Sequence, residues 1–176
     1  MALCALFVAL IAAGAFLKVP IPLVPFTLQF LFTTLAGLLL GGQLGGLAVC
    51  AYIVLGLAGL PIFAQGGGLG YVLQPSFGYI IGFAAGAFVT GTIANRTEQP
   101  GFPRLLAANF VGLGIVYLFG MFYYALMSHF YLGSPIGLWP LFLYCFLLAV
   151  PGDILLCIVG AMLGKRLIPL IRKGRI

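Results

Sequence analysis

The sequence predicts an all-α membrane protein with six transmembrane helices, arranged as a single domain, 1–176. Of its 176 residues, 64% are hydrophobic and only 6% are charged, whereas soluble domains carry about 25% charged residues. Its mean hydropathy is +1.26. The apolar runs lack the alternation of barrel strands, and lipid offers the backbone no hydrogen-bond partners, so helices are the spanning element that the sequence allows.

The first three predicted spans end at residues that break helices. They cover about residues 2–17, 26–40 and 44–60. Three prolines within 19–25 close the first, a Gly-Gly pair at 41–42 closes the second, and Pro61 closes the third. These spans are shorter than the roughly 20 residues that a perpendicular helix needs. Short segments interrupted by glycine or proline are typical of transporter binding sites.

The last three predicted spans cover about residues 77–94, 105–127 and 152–170. A glycine-rich stretch, Gly66–Gly70, precedes the fourth span, and a charged loop between Arg96 and Arg104 precedes the fifth. The apolar stretch Leu138–Ala149 has only about a dozen residues, which is too few to span a bilayer. We interpret it as an interfacial or re-entrant piece at the outer mouth of the bundle.

The positions of the charges predict the orientation in the membrane. With the N-terminus inside, seven of the eight Lys and Arg residues lie in inner loops or in the C-terminal tail, and only Lys18 faces outside. The positive-inside rule therefore places both termini in the cytoplasm. The same clustering favours contact with membrane lipid. It excludes nucleic acid as a partner, because there is no soluble portion to carry a basic surface.

One carboxylate stands alone within the apolar spans. Asp153 follows Pro151 and Gly152 at the start of the sixth span, whereas the only other acid, Glu98, lies in the charged loop. An ionisable group at membrane depth is costly and marks, by default, a substrate, ion or proton site. Two compatible interpretations follow: Asp153 accepts hydrogen bonds from a ligand, or it interacts favourably with the positive end of the helix dipole.

Further candidate contacts lie on the same outer side. The run Gly66–Gly68 allows the backbone to approach a ligand closely, and it lacks the Lys-Ser/Thr pair of a phosphate-binding loop. Tyr71 and Gln74 follow this run, and Gln29 lies one turn into the second span from its outer end. We count all three side chains as candidate substrate-binding residues.

Other classes of site lack the residues that they need. The four cysteines form no Cys-x-x-Cys pair and the single histidine, His129, has no neighbouring ligand, so we expect neither a metal site nor a cofactor. We also expect no enzyme, because catalysis would need paired carboxylates, a histidine cluster or an activated nucleophile. The alternative to a ligand-capturing subunit is an ion-coupled small-solute carrier that uses Asp153 as its proton site.

The first span carries a ladder of small residues. Ala5, Ala9 and Ala13 recur at every fourth position, a spacing that lets another helix approach closely. The spacing leaves open whether that helix belongs to this chain or to another protein.

Several motifs, taken together, resemble BioY, the biotin-specific substrate-binding (S) component of energy-coupling-factor (ECF) transporters. The matching pieces are Pro22–Gln29, Gly59–Phe63, Gly66–Gly68, Gln74–Tyr79, Gly82-Phe83, Tyr117–Gly120 and Pro151–Asp153. They occur in the family's order and at about its spacing from end to end. The combination is specific, although each piece alone is weak.

The resemblance implies a six-helix S-component fold that takes up biotin across a prokaryotic plasma membrane. It assigns Asp153 to the ureido group of biotin and adds contacts from Gly67, Gly68 and Tyr79. It also implies that the alanine ladder docks on a transmembrane coupling protein, which is driven by two ATPase subunits.

Two positions depart from the family's pattern. Leu156 stands where the family usually has Lys, and Ile80 stands where some members have Arg. Both cations are plausible partners for the carboxylate of biotin. The partner in this chain is therefore left open between Lys18, backbone amides of the glycine loop and water, and a different ligand, such as a biotin precursor, is a further alternative.

Overall fold

The computed structural model describes residues 2–19, 26–133 and 136–173, and it confirms the predicted helical membrane fold. The helices are α1 (Ala2–Phe16), α2 (Gln29–Leu40), α3 (Gly42–Leu57), α4 (Phe77–Ala94), α5 (Phe102–Phe130), α6 (Leu138–Phe142) and α7 (Val150–Lys173). Helices α4 and α5 and the stretch Trp139–Ile171 are long and apolar enough to cross a membrane. Helices α1, α2 and α3 are shorter apolar helices, as the sequence predicts.

The helix boundaries follow from local sequence. Helix α4 begins and ends where the sequence predicts, and α5 starts earlier because Pro103 suits the first helical turn. Gly41 alone separates α2 from α3 and has φ +91°. This backbone conformation favours glycine, so the residue permits an abrupt reversal between two packed helices.

A short hairpin precedes α2. Strand β1 (Lys18–Val19) pairs antiparallel with β2 (Phe26–Thr27), and Lys18 lies opposite Thr27. The predicted second span includes residues 26–28, but the structure begins the helix at Gln29 because β2 pairs with β1 instead. The proline-rich loop that the sequence predicts lies largely outside the described residues.

The segment before α7 differs from the predicted separate interfacial piece. Helix α6 continues through a π-helical turn, Leu143–Leu147, into the start of α7. Cys145 on this turn is buried, whereas Trp139 at its beginning is exposed. The segment is therefore the first part of one long apolar helix, and it contributes side chains to the interior of the bundle.

Helix α4 lies at the centre of the bundle, where it packs against α2, α3 and α5. Helix α7 packs against α2 and α5, and α1 packs against α2 and α3. The interior has two parts: a cluster rich in aromatic residues and a cluster of aliphatic residues and alanines. In a membrane such contacts stabilise the bundle through close van der Waals packing. Residues of the aromatic cluster also line a cavity beside Asp153.

Candidate ligand-binding site

A cavity opens beside Asp153, which is 8% exposed in the first turn of α7. Its polar lining consists of Asp153, Thr27, Gln29 and Ser76, together with the tyrosines Tyr71, Tyr79, Tyr117 and Tyr144. Its larger apolar lining residues are Phe26, Phe30, Ile80, Phe83 and Val116. A concave, mostly apolar site with a few converging polar groups is the usual form of a small-molecule site.

The carboxylate of Asp153 is held by one tyrosine. The hydroxyl of Tyr117, a residue only 5% exposed on α5, donates a 2.5 Å hydrogen bond to Oδ2. The Tyr117 ring packs edge-on against Tyr79 and Phe146, with centroid distances of 6.0 and 5.0 Å. Oδ1 accepts no hydrogen bond from the described residues, so it is available to a donor on a ligand.

Tyr79 presents its ring to the cavity while its hydroxyl has a protein partner. The hydroxyl donates a 2.9 Å hydrogen bond to the carbonyl oxygen of Cys145, in the π-helical turn where the regular helical pattern is interrupted. The ring lies so close to Gly120 that a side chain at that position would overlap it. Tyr79 is thus fixed between α5 and the segment before α7.

A second polar group lies at the start of α2. Thr27 Oγ1 donates to Gln29 Oε1 at 3.2 Å, and Gln29 Nε2 donates to the Tyr52 hydroxyl at 2.6 Å. Tyr52 in turn donates to the carbonyl oxygen of Ile62 at 2.9 Å. Gln29 keeps one amide N–H for a ligand, and the same chain of bonds ties the loop after α3 to the cavity wall.

The loop that carries the glycine run contributes one predicted residue to the cavity. Tyr71 lines it and packs on Phe63, with ring centroids 4.5 Å apart. Gly67, Gly68 and Gln74 are not among its lining residues. The N–H of Gly68 donates instead to a carbonyl oxygen of α3, and Gly67 packs directly on neighbouring backbone, so these glycines shape the loop.

Of the seven predicted binding residues, the structure brings four to the cavity: Asp153, Tyr79, Tyr71 and Gln29. It adds polar residues that the sequence analysis did not select as binding residues, among them Tyr117 and Thr27. A usable signal existed for Tyr117, because a phenol in the middle of an apolar helix needs a hydrogen-bond partner. Asp153 is the one acid that the predicted spans offer.

The alanine ladder faces away from the bundle. Ala5, Ala9 and Ala13 are exposed, whereas Phe7 and Ile11 on the other side of α1 are buried. The described part of the chain therefore leaves the ladder uncovered. No helix within the described residues packs on the ladder, so a helix that docks there would belong to another protein.

Comparison with known proteins finds relatives over nearly the whole chain. The family model described as the BioY family matches residues 1–173. A probable biotin transporter BioY from Lysinibacillus sphaericus is 45% identical over 171 residues, which are 97% of this chain and 87% of that protein. The biotin transporter BioY from Thermotoga maritima is 45% identical over 118 residues, 66% of this chain and 69% of that protein.

A solved structure supports the same assignment. The S-component for biotin from an ECF-type ABC transporter superposes with a TM-score of 0.83 at 28% identity, covering 94% of this chain and 88% of that one. The structural match thus covers nearly the whole chain. From sequence and structure together, the chain belongs to the BioY family.

Proposed function

We propose that this membrane protein is a biotin-binding S component that mediates biotin uptake as part of an ECF transporter. The observation that carries the proposal is the Asp153 carboxylate, which is held by Tyr117 and opens into a largely apolar cavity. Placing an acid at this depth is costly, and such acids by default have a function. Binding of a neutral donor group gives it one.

The chemistry of biotin matches the two kinds of lining. Its ureido ring carries two N–H donors, and a carboxylate accepts such donors in charge-assisted bonds that are about twice as strong as neutral ones. Its fused ring system is mostly apolar and packs against Tyr79, Phe83 and Val116, which line the cavity. Asp153 thus orients the head of the ligand, and the aromatic wall supplies contact area.

Transport needs partners beyond this chain. The sequence carries no ATP-binding motif, so the energy comes from an ECF module, composed in our proposal of a transmembrane coupling protein and two ATPase subunits. The chain acts as one multi-pass domain of a prokaryotic plasma membrane with both termini in the cytoplasm. Because the family is one of transporters, the protein is not an enzyme, and an ion-coupled carrier is not favoured.

The proposal is tested by calorimetry with the purified protein. We expect saturable biotin binding at a stoichiometry of about one. Dethiobiotin, which keeps the ureido ring, should compete, whereas lipoic acid, which keeps an acid tail of similar length but lacks the ureido ring, should not. Absence of biotin binding, or equal competition by lipoic acid, would contradict the proposal.

A second prediction concerns the tyrosine that holds the acid. Tyr117→Phe should weaken biotin binding by about tenfold, because the hydrogen bond to a charged partner is lost and the carboxylate is less well oriented. The matched control is Tyr124→Phe, which removes a hydroxyl from a buried tyrosine of α5 that does not line the cavity. Equal effects of both substitutions would show that the loss comes from general weakening of α5.

A further inference from the structure

Within the part of the chain that the structure describes, one lysine stands at the cavity end of the bundle. Lys18 is exposed and pairs in the hairpin with Thr27, which lines the cavity. Its Nζ donates a 2.8 Å hydrogen bond to the carbonyl oxygen of Ala64, another lining residue. The ammonium group therefore lies at the rim of the cavity.

The lysines and arginines of the long helices lie toward the opposite end. Lys165 is about 18 Å further along α7 than Asp153, at the helical rise of 1.5 Å per residue. Arg104 is about 20 Å from Tyr117 along α5 by the same measure. An ion pair needs its charged atoms within about 4 Å of each other, so these cations are too far away to contact an anion at the rim, whereas Lys18 lies there.

Other donors at the cavity are neutral or already engaged. Ile80, at a position where a cation would have faced the cavity, is apolar. The amide of Gly66 donates to the carbonyl oxygen of Phe63 at 3.2 Å, and that of Gly68 donates to the carbonyl oxygen of Gly56 at 2.7 Å. These two amides of the glycine run are therefore not free to bind an anion.

Resting on the proposed function, we infer that Lys18 binds the carboxylate of the ligand and selects acidic over neutral ligands. An ammonium group has three N–H donors, and Ala64 takes one of them. The other two remain for a carboxylate. A ligand with N–H donors at one end and a carboxylate at the other is then bound in a single direction, its head at Asp153 and its tail at Lys18.

The inference is tested by measuring the affinities of biotin and its neutral primary amide, biotinamide, for matched variants. We expect the wild-type protein to bind biotin about three- to fivefold more tightly than biotinamide, the size of an exposed ion pair. Lys18→Gln should remove this preference by weakening biotin alone. Lys18→Arg should keep it, and so should Lys165→Gln, which removes an exposed cation at the far end of α7.

The two ligands separate charge recognition from damage to the rim. Equal weakening of both ligands in Lys18→Gln would show that the lysine only supports the loop through Ala64, and unchanged biotin affinity would show that the tail stays in water. Either result overturns this inference and leaves the proposed function intact. Failure of the wild-type protein to bind biotin would overturn both.

Discussion

Asp153→Asn should weaken biotin binding by about 100-fold while leaving the fold intact. The substitution is nearly isosteric, so packing around α7 is preserved. It removes the charge that strengthens hydrogen bonds to the ureido N–H groups, each worth about 1.5–3 kcal/mol when one partner is charged. The loss of about 100-fold corresponds to about 2.8 kcal/mol.

The geometry explains why the asparagine cannot substitute for the acid. The Tyr117 hydroxyl donates to one carboxylate oxygen of Asp153. In Asp153→Asn the single side-chain oxygen of the asparagine accepts this hydrogen bond. The NH2 group then faces the ligand, where it meets another donor. If the amide is turned the other way, the Tyr117 hydroxyl loses its acceptor. Both arrangements leave a buried donor without a partner, which is costly.

Calorimetry with biotin measures this effect, and thermal unfolding of the purified variant checks the fold. The matched control is Glu98→Gln, the same chemical change at the other acid, which lies in the exposed loop between α4 and α5. We expect its biotin affinity to equal that of the wild type. An Asp153→Asn affinity within about threefold of the wild type would mean that the acid serves the helix dipole rather than the ligand.

Much of the fold could be predicted because membrane spans are recognised from the hydropathy of continuous segments of about 20 residues. Helix α4 lies between two strong breaks in the pattern and was predicted residue for residue. The hairpin of Lys18–Val19 with Phe26–Thr27 was missed, because two paired residues leave no periodic signal. The segment before α7 was misinterpreted because Pro151 suggests a break, whereas proline is tolerated in the first turn of the helix.

The site was harder to predict because its contacts join distant parts of the chain. Asp153 could be identified because it is the one acid within the predicted spans, and this observation requires no knowledge of the residues around it. Its hydrogen bond to Tyr117 joins two helices, and no spacing rule connects them. Gly67 and Gly68 illustrate the opposite difficulty, because glycines that shape a loop and glycines that contact a ligand look alike in sequence.

The charged and small residues form two separate candidate functional surfaces on the bundle. Asp153 lines the cavity and Lys18 lies at its rim, whereas the alanine ladder of α1 is exposed on the outside of the bundle. A substitution on the ladder should therefore separate capture of the ligand from its transport. Substitutions in the cavity affect both.

Ala9→Trp should lower biotin uptake at least about tenfold in cells that contain the ECF module, while the biotin affinity of the purified protein stays within about twofold. Ala9 is exposed at the middle of the ladder. Small residues at every fourth position allow helix backbones to approach closely, and a bulky side chain prevents that approach. The variant should also fail to copurify with the coupling protein.

The matched control is Ala107→Trp, the same enlargement at an exposed alanine of α5, outside the ladder. It should take up biotin at the wild-type rate, because an added aromatic side chain in contact with lipid leaves helix packing unchanged. Loss of uptake in both variants would indicate a general defect in membrane insertion. Normal uptake in Ala9→Trp would show that the ladder faces lipid and that the coupling protein docks elsewhere. Uptake lost in Ala9→Trp alone, with binding retained, would locate energy coupling on α1.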